Sequence, residues 1–517
     1  MPTPDASPRQ IAVVDFGSQY TQLIVRALRE LEVYSEIVPS DRQRELVGRD
    51  DVAGIVLSGG PASVTDPGAP DLAPELLAQG VPLLGICYGM QLLCARLGGR
   101  LESAVDREYG PAVVEQLVDS PLFADTPSRQ RVWMSHGDRV LELPPGFVAL
   151  ARSETIPFAA AGDPGRGIYT LQFHPEVAHT EHGLRLLENF ARRICALRER
   201  WTAASFVERS IGEIRRTVGD AHVLCGVSGG VDSTVVATLV DRAVGDRLHA
   251  VFVDTGLLRD GEADEVEREL NKVLHRPLQR VDAGGIFLDR LRGITDPERK
   301  RRIIGNTFIE VFRDATRQSG PFRFLAQGTL YPDRIESMST GGPSHVIKTH
   351  HNVGGLPAEL GYELLEPLRD LFKDEVRAVG RSLGLPPHLL GRHPFPGPGL
   401  AVRILGEVTP ERVRLLQRAD RIFIDELRAG GQYDAIWQAG AVLLPVRSVG
   451  VMGDQRTYET TVALRAVTSR DGMTADWARI PAEILARVSN RIINEVPGIN
   501  RVVYDISSKP PSTIEWE

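Results

Sequence analysis

Residues 223–233 read Val223-Leu224-Cys225-Gly226-Val227-Ser228-Gly229-Gly230-Val231-Asp232-Ser233, and a helical stretch from Thr234 to Val240 follows. An apolar run that breaks into two glycines and then opens a helix predicts a buried strand feeding an anion cradle. Glycine has no Cβ, so backbone N–H groups approach a phosphate closely, and the helix N-terminus adds partial positive charge. The lysine of a Gly-x-x-x-x-Gly-Lys-Ser/Thr loop is absent. Ser228 and Ser233 offer hydroxyl donors instead, and Asp232 is a carboxylate suited to the magnesium that accompanies nucleotide phosphates. A lone Gly-Gly followed by Asp and Ser reads as a helix cap. Here six consecutive residues, Ser228 to Ser233, fit the cradle.

The next apolar run, His249 to Asp254, is continuous, as in a strand buried on both faces, and its end carries Asp254 and Gly256. Ligands of open α/β sheets sit outside such carboxyl ends. A second constellation lies upstream, where residues 81–97 give a strand, then Gly85-Ile86-Cys87-Tyr88-Gly89, then an amphipathic helix. The flanking glycines permit a sharp strand-to-helix turn that exposes the sulfur, and the helix N-terminus favours a thiolate and offers N–H groups to an oxyanion. A base and its orienter stand in Leu171-Gln172-Phe173-His174-Pro175-Glu176. Proline biases His174 to an extended conformation, so Glu176, two residues on, points to the same side and can hold the imidazole tautomer. Cys94, Cys195 and Cys225 read as ordinary buried thiols.

The string Ser228–Ser233 resembles the pyrophosphate loop of the ATP pyrophosphatases, which adenylate a substrate oxygen. The resemblance implies ATP contacts at Ser228, Gly229, Gly230, Val231, Asp232, Ser233 and Val253, with Asp232 also on Mg²⁺. The pairing of Cys87 with His174 and Glu176 resembles the triad of class I glutamine amidotransferases, which release ammonia from glutamine. In that family the loop matching Ser58-Gly59-Gly60-Pro61 donates to the oxyanion through Gly59, Tyr88 and Gln91 belong to the glutamine pocket, and Trp133 to Asp138 lines it with His136 structural. Further along, Gln327 to Ser337 gathers polar groups at a strand end: Asp333 and Glu336 are candidates to ligate magnesium or fix the substrate, and Lys348 is a candidate to neutralise charge on the transferring phosphoryl group. Gly341-Gly342-Pro343 and Gly354-Gly355 bracket Lys348 as hinges of a lid.

Along nearly its whole length the chain resembles the glutamine-hydrolysing GMP synthetase family, most specifically in Val496 to Glu517. The resemblance implies two doubly wound parallel-sheet α/β domains, a class I glutaminase over 9–198 and an adenine nucleotide α hydrolase-like ATP pyrophosphatase over 199–392. A smaller α+β dimerisation and nucleotide-binding domain follows over 393–517, after the stiff Arg392-His393-Pro394-Phe395-Pro396-Gly397-Pro398-Gly399. Xanthosine monophosphate (XMP) is expected at Arg301, Lys509 and Glu515, with ATP, glutamine and Mg²⁺ as the other small molecules and a homodimer as the assembly.

Composition agrees without naming a chemistry. A chain of 517 residues that is 42% hydrophobic and 25% charged has material for several globular cores. A formal net charge of −8 argues against a nucleic-acid binder driven by counterion release. Four cysteines give no disulfide framework, His350-His351 has no third zinc ligand nearby, and no stretch approaches eighteen consecutive apolar residues. The expectation is a cytoplasmic enzyme without membrane or nucleic-acid partners. Asparagine-type synthetases use an amino-terminal cysteine, whereas this chain starts Met1-Pro2; tRNA-thiolating enzymes need a sulfur-carrying cysteine where only Cys225 stands.

Overall fold

A computed structural model describes residues 8–317, 320–333, 361–452, 455–469, 472 and 474–517. Glu336 and Lys348, with the glycine-bracketed segment around Lys348, lie outside the described residues. The chain folds as two compact units that divide between Ser205 and Phe206.

In the first unit the strands are β1 (Gln10–Asp15), β2 (Ser35–Pro39), β3 (Val52–Leu57), β4 (Leu83–Ile86), β5 (Arg100–Gln116), β6 (Arg129–Glu142), β7 (Val148–Arg152), β8 (Ala160–Asp163) and β9 (Ile168–Leu171). They form one sheet in the order β2-β1-β3-β4-β9-β8-β7-β5-β6. Strands β2, β1, β3, β4 and β9 run parallel, and their residues, such as Ile11 to Val14 and Ile55 to Leu57, are wholly buried because helices cover both faces. From β9 outward the pairing turns antiparallel. The expected parallel sheet thus accounts for five strands, and β5 to β8 extend it as a mixed sheet. The reason is local: the short turn Pro164–Arg166 with Gly167 at φ 69° joins β8 to β9, and so tight a turn can only return the chain antiparallel.

The second unit opens with β10 (Val223–Val227), β11 (Leu248–Asp254), β12 (Gln279–Asp282), β13 (Phe324–Ala326) and β14 (Glu363–Leu365). All pair in parallel in the order β12-β11-β10-β13-β14, the expected doubly wound arrangement. The order reverses at β10, so a crevice opens at its carboxyl end, where Ser228 begins the glycine loop. The remaining strands are β15 (Gln438–Met452), β16 (Gln455–Thr468), β17 (Asp476–Trp477) and β18 (Ile499–Asp505). They make a separate sheet against the helices Pro410–Ala429 and Ala482–Glu495. One hydrophobic core runs from Leu224 and Val251 of the parallel sheet to Phe423, Leu464 and Ile499 of this α+β part. Each such side chain contributes about 1.5–3 kcal/mol on burial.

Candidate active sites

Cys87 sits between β4 and the helix Tyr88–Arg96 with φ 52° and ψ −104°, a conformation that costs a non-glycine residue energy and that clusters at functional sites. Its neighbours explain why the chain can turn so sharply. A Cβ at Gly85 would lie 2.6 Å from the Gly89 carbonyl, and one at Gly89 would lie 2.3 Å from the Leu57 oxygen. Both positions must be glycine for the turn to close over β3. The Cys87 N–H donates to the Leu171 oxygen at 2.7 Å, which ties the turn to the end of β9. His174 follows that strand and is buried, the Cys87 sulfur is close enough to act on its imidazole, and the Cys87 thiol itself donates to the Ser135 oxygen at 3.3 Å. Its Nδ1 meets Glu176 Oε1 at 2.7 Å, and the Glu176 side chain is fully buried.

Burial by itself would lower the His174 pKa, but the Glu176 carboxylate and the Cys87 sulfur together outweigh it and hold the imidazole up to about 10. The site therefore favours an imidazolium at neutral pH. Elsewhere burial pushes the Cys94 and Cys225 thiols up to about 12, and that of Cys195 upward too, as inert thiols require.

Around the triad, a Cβ at Gly59 would come 3.2 Å from His174 Cε1, so the backbone of that loop reaches the imidazole. Tyr88 differs from a pocket-lining side chain: its hydroxyl donates to the Pro70 oxygen at 2.5 Å and its ring packs on Phe16, leaving only its backbone N–H, in the first turn of the helix, at the thiol. Gln91 Nε2 donates to the Asp138 oxygen at 2.9 Å and ties the helix to β6. His136 is buried, 3.2 Å from Glu108 through Nε2, and burial lowers its pKa against the pull of that carboxylate.

At the second site, Gly229 adopts φ 79° and a Cβ there would lie 2.8 Å from Val266. Ser228 and Ser233 fold the loop on itself: the Ser228 N–H donates to Ser233 Oγ at 3.1 Å, and the Gly230 N–H to Ser228 Oγ at 3.3 Å. Asp232, in the first turn of the helix Val231–Val244, is paired on both oxygens with Lys373 Nζ at 2.6 and 2.5 Å. The sequence reading missed Lys373. The signal was present, since a lysine that opens the helix Lys373–Ser382 stands against the helix dipole and needs a fixed partner. Arg392 was missed as well; it donates to the Gly229 oxygen at 3.0 Å and to Glu265 at 2.6 Å, holding the loop from behind. Gly328 approaches Asp232 so closely that a Cβ would lie 3.2 Å from its Cβ. Asp333 accepts the Leu330 N–H at 3.0 Å, and Val253 is buried in β11. A cleft of about 180 Å³ opens at the end of β11 between Asp254, Gly256, Arg259 and Arg280.

The tail of the chain folds back within the second unit. Arg301 Nη2 donates to the Glu517 oxygen at 2.5 Å, Arg403 grips Glu515 at 2.8 and 3.0 Å, and Lys509 Nζ donates to the Gly472 oxygen at 2.8 Å. Arg301 and Glu515 are thus joined through the tail, whereas Lys509 contacts neither of them among the described residues.

Family models match three consecutive parts of the chain: glutamine amidotransferase class-I over residues 12–194, NAD synthase over 204–284, and GMP synthase C terminal domain over 425–516. The curated GMP synthase [glutamine-hydrolyzing] of Thermomicrobium roseum is 58% identical over 509 residues, covering 98% of this chain and 96% of the relative. Those of Nitratidesulfovibrio vulgaris and Solidesulfovibrio magneticus are 56% and 55% identical, covering 98% and 99% of this chain and 99% and 100% of their own. The chain belongs to the glutamine-hydrolysing GMP synthase family. The class I triad geometry lies in the part matched as glutamine amidotransferase, and the glycine loop in the part matched as NAD synthase. In this GMP synthase family member, no helix among the described residues is long and apolar enough to cross a membrane.

Proposed function

We propose that this chain makes GMP from XMP in two half-reactions joined by ammonia, divided among a glutaminase over 9–198, an ATP pyrophosphatase over 199–392 and a substrate-binding, dimerising part over 393–517. The observation that carries the first half is the Cys87, His174 and Glu176 constellation on a strained turn. Cys87 attacks the carboxamide carbon of glutamine, and His174 hands a proton to the departing ammonia. Water, deprotonated by the same imidazole, then releases glutamate from the thioester. The oxyanion is met by backbone N–H groups of Gly59 and Tyr88; the first has no acceptor among the described residues, and the second opens a helix. Gln91 holds the opposite wall of the glutamine pocket through Asp138.

In the second half the C2 oxygen of XMP attacks the α-phosphorus of ATP, pyrophosphate leaves, ammonia adds at C2, and AMP departs with that oxygen. Adenylation is needed because a purine oxo group is a poor leaving group. Ser228 to Ser233 cradle the pyrophosphate, and Val253 borders the adenosine. The hydroxyls of Ser228 and Ser233 and the Asp232 carboxylate are hard oxygen donors that suit Mg²⁺, and Asp232 would hold it. A magnesium ion held by Asp232 would supply charge neutralisation for the pyrophosphate leaving group. Asp333 with Glu336 and Lys348 complete the phosphoryl-transfer groups, and Arg301, Lys509 and Glu515 bind XMP. The exposed face formed by Val449, Val451 and Tyr458 on β15 and β16 suits a second copy of the chain in a cytoplasmic homodimer. Product analysis with all substrates tests the reading: GMP, AMP and pyrophosphate in equal amounts support it, and ADP with phosphate contradicts it.

The triad makes a specific pH prediction. Because His174 lies above the ordinary histidine value, its charged form persists at neutral pH and is lost only as pH rises through about 10. Glu176→Gln removes the first of the two influences that raise it. The alkaline limb of glutaminase kcat/KM should therefore move to lower pH, with a loss of roughly 10- to 100-fold, less than for His174→Ala. An unmoved limb would deny Glu176 its orienting role.

A further inference from the structure

The Glu515 carboxylate is held on both oxygens by protein side chains. Arg403 Nε and Nη2 donate to it at 3.0 and 2.8 Å, and Gln438 Nε2 adds a third bond at 2.5 Å. The Arg403 side chain is only 2% exposed. On its far side Nη1 lies 3.7 Å from Asp420 Oδ1, and Asp420 Oδ2 lies 3.1 Å from Arg259 Nη1. Two backbone groups of β15 fix the middle of this row: the Ala441 N–H donates to Asp420 at 2.9 Å, and Arg259 Nη2 donates to the Ala439 oxygen at 2.8 Å. Charges alternate along it, from Arg259 beside the cleft at the end of β11 to Glu515 in the tail.

Gly440 is part of the device. A Cβ there would fall 2.0 Å from Arg403 Nη1 and 2.7 Å from Cζ, so the guanidinium lies against β15 only because residue 440 has no side chain. A buried ion pair adds little net stability over apolar residues of the same volume, whereas a planar fork fixes the direction of one carboxylate. What this row supplies is therefore aim.

We infer that Arg403 is a positioning residue of the synthetase reaction, presenting the Glu515 carboxylate to XMP while Asp420 and Arg259 set the fork from the side of the ATP strand. The inference rests on the reading above that Glu515 meets XMP. The full-length protein, assayed with ammonium as nitrogen donor, tests it. Arg403→Lys keeps the charge and loses the fork; KM for XMP should rise about tenfold or more while KM for ATP stays within about twofold. In a Glu515→Gln background the same change should add nothing, because the carboxylate it aims is gone. Equal rises in both KM values, or an effect that adds in full to that of Glu515→Gln, would overturn the inference. If Glu515→Gln alone leaves KM for XMP unchanged, the reading of Glu515 fails instead. Thermal unfolding checks that the variants fold, and if Arg403→Lys does not, Gly440→Ala displaces the same guanidinium and must reproduce the selective rise in KM for XMP; an unchanged ratio of the two KM values in that variant overturns the inference.

Discussion

Replacing Cys87 by alanine should abolish glutamine-dependent GMP formation, by at least about 10⁴-fold, while synthesis from added ammonium continues within about twofold. The asymmetry follows from where the thiol stands. Cys87 lies on the turn between β4 and its helix, and the partners found for its site, His174, Glu176 and the Gly59 loop, all belong to the same unit. Nothing in the adenylation chemistry needs a thiolate once ammonia is supplied from solution. Alanine removes the nucleophile while leaving the flanking glycines, which carry the steric demand of the turn, in place. Rates with each nitrogen source, measured on the same preparation, decide the matter. Loss of both activities would mean that the two half-reactions are not separable in the way proposed.

Asp232→Ala should have the opposite signature, a loss of AMP and pyrophosphate formation by about 10³-fold or more with either nitrogen source. The carboxylate has two duties at one place. It pairs with Lys373 at 2.5 to 2.6 Å, and in the proposed reaction it would also be the oxygen ligand of magnesium. Without it the lysine loses its fixed partner beside the glycine loop, and the proposed magnesium would lose its protein ligand. Glutamine hydrolysis by the triad should persist. Unchanged pyrophosphate release would remove Asp232 from the adenylation machinery.

Much of this was legible in the sequence because glycine placement is a steric statement. Gly85 and Gly89 around Cys87, and Gly229 before Asp232, mark positions where a Cβ would strike backbone or a packed side chain, so the two sharp strand-to-helix turns follow from the letters. The continuous apolar runs Val223–Val227 and Leu248–Asp254 mark strands buried on both faces, and the doubly wound order came with the family resemblance. The antiparallel arm β5 to β8 was not foreseen, because its direction is set by the tight turn Pro164–Arg166 with Gly167 between β8 and β9 and not by the apolar pattern within the strands. Lys373 and Arg403 escaped for a related reason. Each acts on a carboxylate more than a hundred residues away, Asp232 and Glu515, and an isolated basic residue in a helix turn gives no hint of its partner. Tyr88 marks the converse limit: it stands beside Cys87 in sequence, yet its ring is committed to the core and its hydroxyl to the Pro70 oxygen.

In the proposed reaction the amide nitrogen of glutamine ends on C2 of the purine, the C2 oxygen of XMP leaves on AMP, and water supplies the new oxygen of glutamate. Incubating the protein with amide-¹⁵N glutamine, XMP bearing ¹⁸O at C2, ATP and magnesium, and then weighing the products, tests this directly. The account predicts ¹⁵N in the exocyclic amino group of GMP and ¹⁸O in the phosphate of AMP. Oxygen label found in pyrophosphate, inorganic phosphate or water instead, or GMP without ¹⁵N, would contradict it.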